Sequence, residues 1–242
     1  MTISELEGRF LDRVPGIMGV RTHYAVLVPV VEWNGKLHLL FEVRSDALRR
    51  QPGEVCFPGG RMEEGETPTQ CALRETCEEL AIPPSAIRPM ARLDDVFMPS
   101  HGLMHPVLAQ VDTGAVVHMK ASAAEVKETF LVPADFFQEQ PPLLYNFPME
   151  PKVDADFPYD LIGFPDGYPW RGGTHQVPIW TYKGHAIWGL TARILLWNFT
   201  DRGQIVLPPG LSEAEGRVEG PGRPIAAVHL HHQSSVPGQN GQ

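Results

Sequence analysis

Residues 59–82 constrain this chain more than any other stretch. They run Gly-Gly-Arg-Met-Glu-Glu-Gly-Glu-Thr-Pro-Thr-Gln-Cys-Ala-Leu-Arg-Glu-Thr-Cys-Glu-Glu-Leu-Ala-Ile. Two glycines close a strand, an acidic loop follows, and a helix begins. Thr67 is placed to N-cap that helix, Pro68 suits its first position, and Gln70 completes a capping box. Pro83 and Pro84 end it. At about 100° per residue, Glu75, Glu78 and Glu79 share roughly one third of the helix circumference. Leu73, Cys77 and Leu80 fall on the opposite side and are expected to be buried. The helix thus turns three carboxylates one way and a core stripe the other.

Carboxylates this close repel one another and tend to hold a proton unless a cation intervenes. Hard carboxylate oxygens select Mg²⁺ or Mn²⁺ over zinc. Taken alone, such a run is more often a solvated acidic face than a metal site. The spacing around it says more: Gly60, five residues, Glu66, seven residues, then Arg74-Glu75-x-x-Glu78-Glu79. This arrangement resembles the Nudix box. Thr76 stands where that pattern has an aliphatic residue and Ala81 where it has glycine. Both departures bear on helix packing and the C-terminal turn, and neither removes a carboxylate. The resemblance implies an α/β fold, an α/β/α sandwich around a mixed β-sheet with the box helix laid against it. It also implies Glu75, Glu78 and Glu79 as metal ligands, with a backbone carbonyl of Gly59 or Gly60 as a further oxygen. Arg74 would orient a glutamate by ion pairing, and Glu66 would brace the loop.

A second block narrows the resemblance. Arg44, Leu48, Arg49, Gly53 and the run Gly-Glu-Val-Cys-Phe-Pro-Gly-Gly over residues 53–60 are similar to the signature of coenzyme A pyrophosphatases. That similarity implies a hydrolase cutting the diphosphate of coenzyme A or its derivatives. The products would be 3′,5′-ADP and 4′-phosphopantetheine or its acyl form. Guanidinium groups bind phosphate in a bidentate manner, so Arg44, Arg49 and Arg50 are candidate substrate contacts, with Gly59 and Gly60 letting the chain approach the phosphates closely. The implied chemistry is attack of a cation-activated water on one phosphorus, with Glu78 or Glu125 as base and Arg74 in support. No covalent nucleophile is required, and Cys56 and Cys77 are poor candidates for one. Another nucleoside diphosphate derivative, such as ADP-ribose or NADH, is the alternative substrate. A ligand-sensing module without catalysis is a third reading, which the retained Glu75, Glu78 and Glu79 disfavour.

The 242 residues suit one domain with elaborations, and 43% hydrophobic content supplies a core. A formal net charge of −9 speaks against nonspecific binding to nucleic acid or to a membrane surface. A small phosphorylated substrate remains compatible, because bound cations reverse the local sign. The 3 cysteines match no zinc spacing and suggest reduced thiols. With no membrane-length apolar run and an acidic, leaderless N-terminus, a cytoplasmic protein is expected.

Along the chain, a short helix and irregular lead-in occupy residues 1–20. Strands are expected at 23–32 and 37–43 around an Asn34-Gly35 hairpin turn, and at 54–57, 87–97 and 105–112. His101 falls in a loop between the last two. Glu125 precedes an apolar strand-like run and is either a metal-site acid or the start of a helix. Residues 138–180 form a long Pro/Gly-rich insertion carrying Tyr145, Phe147, Tyr159, Tyr168, Trp170 and Trp180. Its aromatic residues could cover a substrate, close the core or reach a second subunit in a homodimer. Residues 185–199 suggest a closing amphipathic helix, and His229, His231 and His232 lie in a tail at 206–242 expected to be disordered. The hydrolase domain is thereby expected over residues 20–205.

Overall fold

The computed structural model describes residues 1–98 and 102–200. His101 and the tail at 206–242 lie outside the described residues. The elements in order are α1 (Ile3–Phe10), β1 (Thr22–Trp33), β2 (Lys36–Arg44), β3 (Val55–Cys56), β4 (Gly59–Arg61), α2 (Pro68–Leu80), β5 (Ile87–Arg92), β6 (Val96–Met98), β7 (Gly102–Val111), α3 (Thr113–His118), β8 (Val126–Pro133), α4 (Ala134–Glu139), β9 (Leu143–Met149), β10 (Gly173–Tyr182), β11 (His185–Trp188) and α5 (Gly189–Phe199). The hairpin turns at Asn34-Gly35, both with positive φ, as the sequence led one to expect.

Eight strands, β1 to β8, make a mixed sheet with β1 at its centre. β1 runs parallel to β7 from Thr22↔Gly102 to Val31↔Val111, while the other pairings are antiparallel. A strand covered on both faces is apolar throughout, and Ala25, Val26, Leu27 and Val28 are all buried. Ala25, Leu27, Leu40 and Val107 face α2, packing on Cys71, Ala72 and Leu80. Val26, Val28, Leu39 and Phe41 face the other way, onto Phe137 of α4, Trp180 of β10, and Ile194 and Leu195 of α5. Helices therefore cover both faces, giving the expected α/β/α sandwich around a mixed sheet.

The sheet contains a fork. β1 and β2 pair only near their hairpin, from Val30↔Leu39 to Trp33↔Lys36. Beyond that point they part, and residues 55–61 cross the gap. Val55 and Cys56 pair with β2, whereas Gly59 to Arg61 pair with β1.

Three sequence expectations change. The buried side of α2 is Cys71, Ala72, Thr76, Glu79 and Leu80, while Leu73 and Cys77 are only half-buried. The sequence set Glu79 opposite the core stripe, but a hydrogen bond from Gly59 lets that carboxylate enter the buried arc. The 138–180 stretch is not a structureless insertion. It contributes β9 and most of β10 to a separate three-stranded sheet, ordered β11-β10-β9. Residues 185–199 split into strand β11 and helix α5, because Gly189 takes φ 62 and breaks the run.

Candidate active site

The site forms where the second half of α2 and the crossing segment meet. Thr67 Oγ1 accepts from the Gln70 N–H at 3.3 Å, and Gln70 Oε1 accepts from the Thr67 N–H at 2.8 Å. That box fixes the first turn of α2. Its last turn ends at Ala81 in the left-handed conformation (φ 54, ψ 30), with the Ala81 N–H donating to the Cys77 carbonyl at 2.9 Å. Thr76, at 0% exposure, satisfies its hydroxyl internally by donating to the Ala72 carbonyl at 2.7 Å.

Gly59 and Gly60 are required by space. A Cβ on Gly59 would collide with the Ala25 carbonyl and the Val26 backbone, and one on Gly60 with the Glu75 carboxylate. The absent side chains let α2 lay Glu75 over the turn. They also let the Gly59 N–H donate to Glu79 Oε2 at 2.8 Å. Arg74 binds the surrounding acids together. Its Nε and Nη2 donate to the two oxygens of Glu66 at 2.9 and 3.1 Å, and Nη1 donates to Glu75 at 2.7 Å and Glu78 at 3.2 Å. Glu66 also accepts from the Glu63 N–H at 2.9 Å, tying down the acidic loop. The Arg74 pairing holds the Glu66 carboxyl below the usual range. Desolvation by burial pushes the Glu75 carboxyl up, with Arg74 opposing it.

The three box carboxylates differ in depth. Glu79 is 5% exposed, Glu75 is largely covered, and the Glu78 side chain is open to solvent. Across the fork from α2 lies Glu42 of β2, which the motif spacing did not indicate. Its signal was a glutamate inside the apolar strand Leu39-Leu40-Phe41-Glu42-Val43. Glu42 is 1% exposed, and its Oε1 accepts from the Cys56 thiol at 3.2 Å. Its Oε2 is buried with no hydrogen-bond partner among the described residues. Burial pushes Glu42 well above the ordinary carboxylate range against the pull of the Cys56 thiol and Arg44, and burial followed by the Glu42 charge pushes Glu79 up as well. The same burial and the Glu42 charge keep Cys56 a thiol, and burial pushes Cys71 up to about 12. Neither has the thiolate character a nucleophile needs.

This donor set suits a hard divalent cation. It is made of carboxylates, one buried oxygen lacks a partner, and several of the acids are costly to ionise without a positive charge nearby. Among the described residues no three His, Cys, Asp or Glu side chains already converge as a coordination sphere. Arg74 draws Glu75 and Glu78 to itself, and Glu79 leans on Gly59.

A cleft of about 560 Å³ opens from this point. Gly59, Gly60, Glu79 and Glu125 are among its lining residues, as are Arg44 and Arg50. Glu125 occupies the turn before β8, whose backbone is held by the Ser45 N–H donating to the Glu125 carbonyl at 2.8 Å. Arg44 buries its Nε without a partner among the described residues. Gln51, which the sequence reading passed over, lines the cleft at φ 54, and its amide donates to Glu54 at 2.9 Å. Arg49 is exposed and is not part of the lining, nor are Glu75 and Glu78. Its apolar lining includes Tyr24, Met98, Met104, Trp188, Leu190 and Ile194. Periodicity alone would have assigned these residues to the core.

Residues 21–146 match the NUDIX domain family. The peroxisomal coenzyme A diphosphatase NUDT7 of Mus musculus is 42% identical over 115 residues, covering 47% of this chain and 48% of that protein. The match therefore spans about half the length of that relative. The uncharacterized Nudix hydrolase NudL of Yersinia enterocolitica is 31% identical over 199 residues, covering 80% of this chain and 90% of that protein. Among solved structures, the Nudix hydrolase RenU from M. smegmatis aligns with a TM-score of 0.42 and 21% identity, over 48% of this chain and 73% of that one. The chain belongs to the NUDIX domain family, a family of hydrolases. Hydrolases of this family generally work with divalent metal cations. Among the described residues no helix is long and apolar enough to cross a membrane.

Proposed function

We propose that this chain hydrolyses the diphosphate of coenzyme A or a coenzyme A derivative, releasing 3′,5′-ADP and 4′-phosphopantetheine or its acyl form. The observation that carries the reading is the composition of the cleft. Carboxylates, a glycine turn, the arginines Arg44 and Arg50 and a set of apolar side chains line one cleft. A diphosphate flanked by a further phosphate and a long neutral arm calls for the same three kinds of lining. The similarity to the mouse coenzyme A diphosphatase and the 44–60 block support the same substrate.

In this reading Glu75, Glu78 and Glu79 hold the cation, Mg²⁺ or Mn²⁺, and residues 20–205 act as one hydrolase domain. The cation supplies charge neutralisation at the diphosphate and makes water more acidic. Arg74 sets the rotamers of Glu75 and Glu78. Glu125, exposed at the cleft edge, or Glu78 takes the proton from the water attacking in line. Gly59 and Gly60 let the phosphates approach the backbone, and Arg44 and Arg50 hold phosphate oxygens, with Arg49 reaching the outer phosphate from outside the lining. The substrate is a small molecule, and the cytoplasm is the proposed compartment.

The test is chromatographic detection of 3′,5′-ADP from coenzyme A with Mg²⁺ or Mn²⁺, set against ADP-ribose and NADH. Faster turnover of ADP-ribose or NADH would overturn the substrate assignment while leaving the hydrolase site intact. Metal-independent hydrolysis would overturn the mechanism. Arg49→Ala is expected to weaken coenzyme A more than dephospho-coenzyme A, and equal losses would remove its contact with the 3′-phosphate.

A further inference from the structure

Glu42 is a carboxylate inside an apolar strand, and the reaction proposed above makes no use of it. Side chains alternate along β2, so Phe41 and Val43 join the core beneath α5, while Leu40 and Glu42 turn to the side that α2 covers. That is the side on which α2 buries Glu79. The backbone of Glu42 is held at both edges. It stands opposite Cys56 of β3 and Thr129 of β8, in the half of β2 that has parted from β1. The side chain, 1% exposed, cannot reach solvent unless the sheet opens.

Its two oxygens differ. Oε1 accepts from the Cys56 thiol at 3.2 Å. Oε2 is buried and has no partner among the described residues. Neither protonation state cures this. An ionised Glu42 leaves Oε2 without a donor, and a protonated one leaves a hydroxyl there without an acceptor. A buried polar atom in that position is costly, so what satisfies it comes from outside the chain. The surroundings separate water from a cation. The charges of Glu125 and Glu75 act on Glu42, and that of Glu42 acts on Glu79. Arg44 pulls the other way, but among the described residues no lysine or arginine forms an ion pair with Glu42. Water brings no charge to such a group. A divalent cation does, and carboxylate oxygens are the donors that Mg²⁺ and Mn²⁺ take.

We propose that Glu42 is a ligand of the cation held by Glu79, binding it through Oε2 from β2, across the fork from α2. The proposal rests on the reading that Glu79 holds a divalent cation, and it adds a donor that the helix motif does not contain. Cys56 is then a positioning residue. Its thiol, which burial keeps protonated, occupies one oxygen of Glu42 and leaves the other for the ion. The assignment also accounts for a carboxylate at a strand position where Leu40, two residues earlier on the same face, is apolar.

The test is titration of the full chain with Mn²⁺, without substrate, counting free Mn²⁺ by electron paramagnetic resonance. Glu42→Gln keeps the size of the side chain and an oxygen for the Cys56 thiol. It is expected to weaken Mn²⁺ binding by about 10-fold or more. In chelator its unfolding midpoint should be no lower than that of the wild type, because it removes a buried acid beside Glu79. Unchanged Mn²⁺ affinity would overturn the proposal and leave Glu79 as a ligand. So would a lower midpoint in chelator with unchanged affinity, which would make Glu42 a brace of the fold. A wild type that binds no Mn²⁺ would remove both this proposal and the cation reading beneath it. A second measurement needs no variant: anomalous diffraction from crystals grown with Mn²⁺ should place an ion in direct contact with Glu42 Oε2. Ions found only on the other carboxylates, with a water at Oε2, would overturn the proposal.

Discussion

The two sides of the cleft are built by opposite means. On the α2 side, position is set by charge and hydrogen bonds: Arg74 touches Glu66, Glu75 and Glu78, and Gly59 touches Glu79. On the α5 side, position is set by packing. Trp180 at 2% exposure meets Phe137 edge-on, and Ile187, Ile194 and Leu195 fill the space beneath the sheet. The first side accepts only particular atoms at particular spacings. The second accepts shapes of about the right volume. Chemistry therefore concentrates on one wall, and the other is free to set what lies beside the reacting group.

Substitutions on each wall should fail differently. The largest effect is expected for Glu79→Gln, which keeps the shape of the side chain and removes its charge. Turnover should drop by about 10³-fold or more in steady-state assays, with the far-ultraviolet circular dichroism preserved. Near-normal turnover would show that the buried carboxylate is not part of the machinery. Trp180→Ala should do the reverse, costing about 3 kcal/mol or more in chemical denaturation. A loss of turnover out of proportion to the folded fraction would erase the contrast between the walls.

A smaller effect is expected from pH in the absence of cation. The Glu79 carboxyl sits above its unfolded value, so its contribution to stability is fully present below the ordinary glutamate range of about 4.3 and is lost as pH rises through the raised value. Thermal unfolding with chelator should show stability falling over that window. Glu79→Gln should flatten the slope, and added Mg²⁺ should restore stability at the alkaline end. A slope unchanged by either would detach it from this carboxylate. The smallest effect belongs to Ala81→Gly. Ala81 holds φ 54, where a Cβ is strained, so the change should raise stability by about 1 kcal/mol without altering turnover. A fall in the unfolding midpoint would mean that the turn is not strained.

These differences also explain what the sequence disclosed. The α2 wall was legible because caps, glycines and paired charges have few substitutes. Thr67, Gln70, Gly59, Gly60 and Arg74 each stand where only a narrow range of side chains would serve. Glu79 was placed on the correct helix but apart from its buried side, since its burial depends on an N–H donated from a residue 20 positions earlier. Glu42 escaped because it approaches the site across the fork, from a strand with no part in the motif spacing. The α5 wall was illegible for a different reason. Aromatic and aliphatic residues at 138–199 carry no sign of which partner they face, and the split at Gly189 turned an apparent single helix into strand and helix.

The crossing segment at 55–61 is hydrogen-bonded to both arms of the divided hairpin. Cys56 rides on one arm and Gly59 on the other, only three residues apart along the chain. A sliding movement of β2 past β1 would drag the glycine turn with it, and with the turn the helix that leans on it. The arginine-bearing loop and the acidic helix are consequently measured off the same short ruler, and their separation is fixed when the backbone folds, before any ligand arrives to set it.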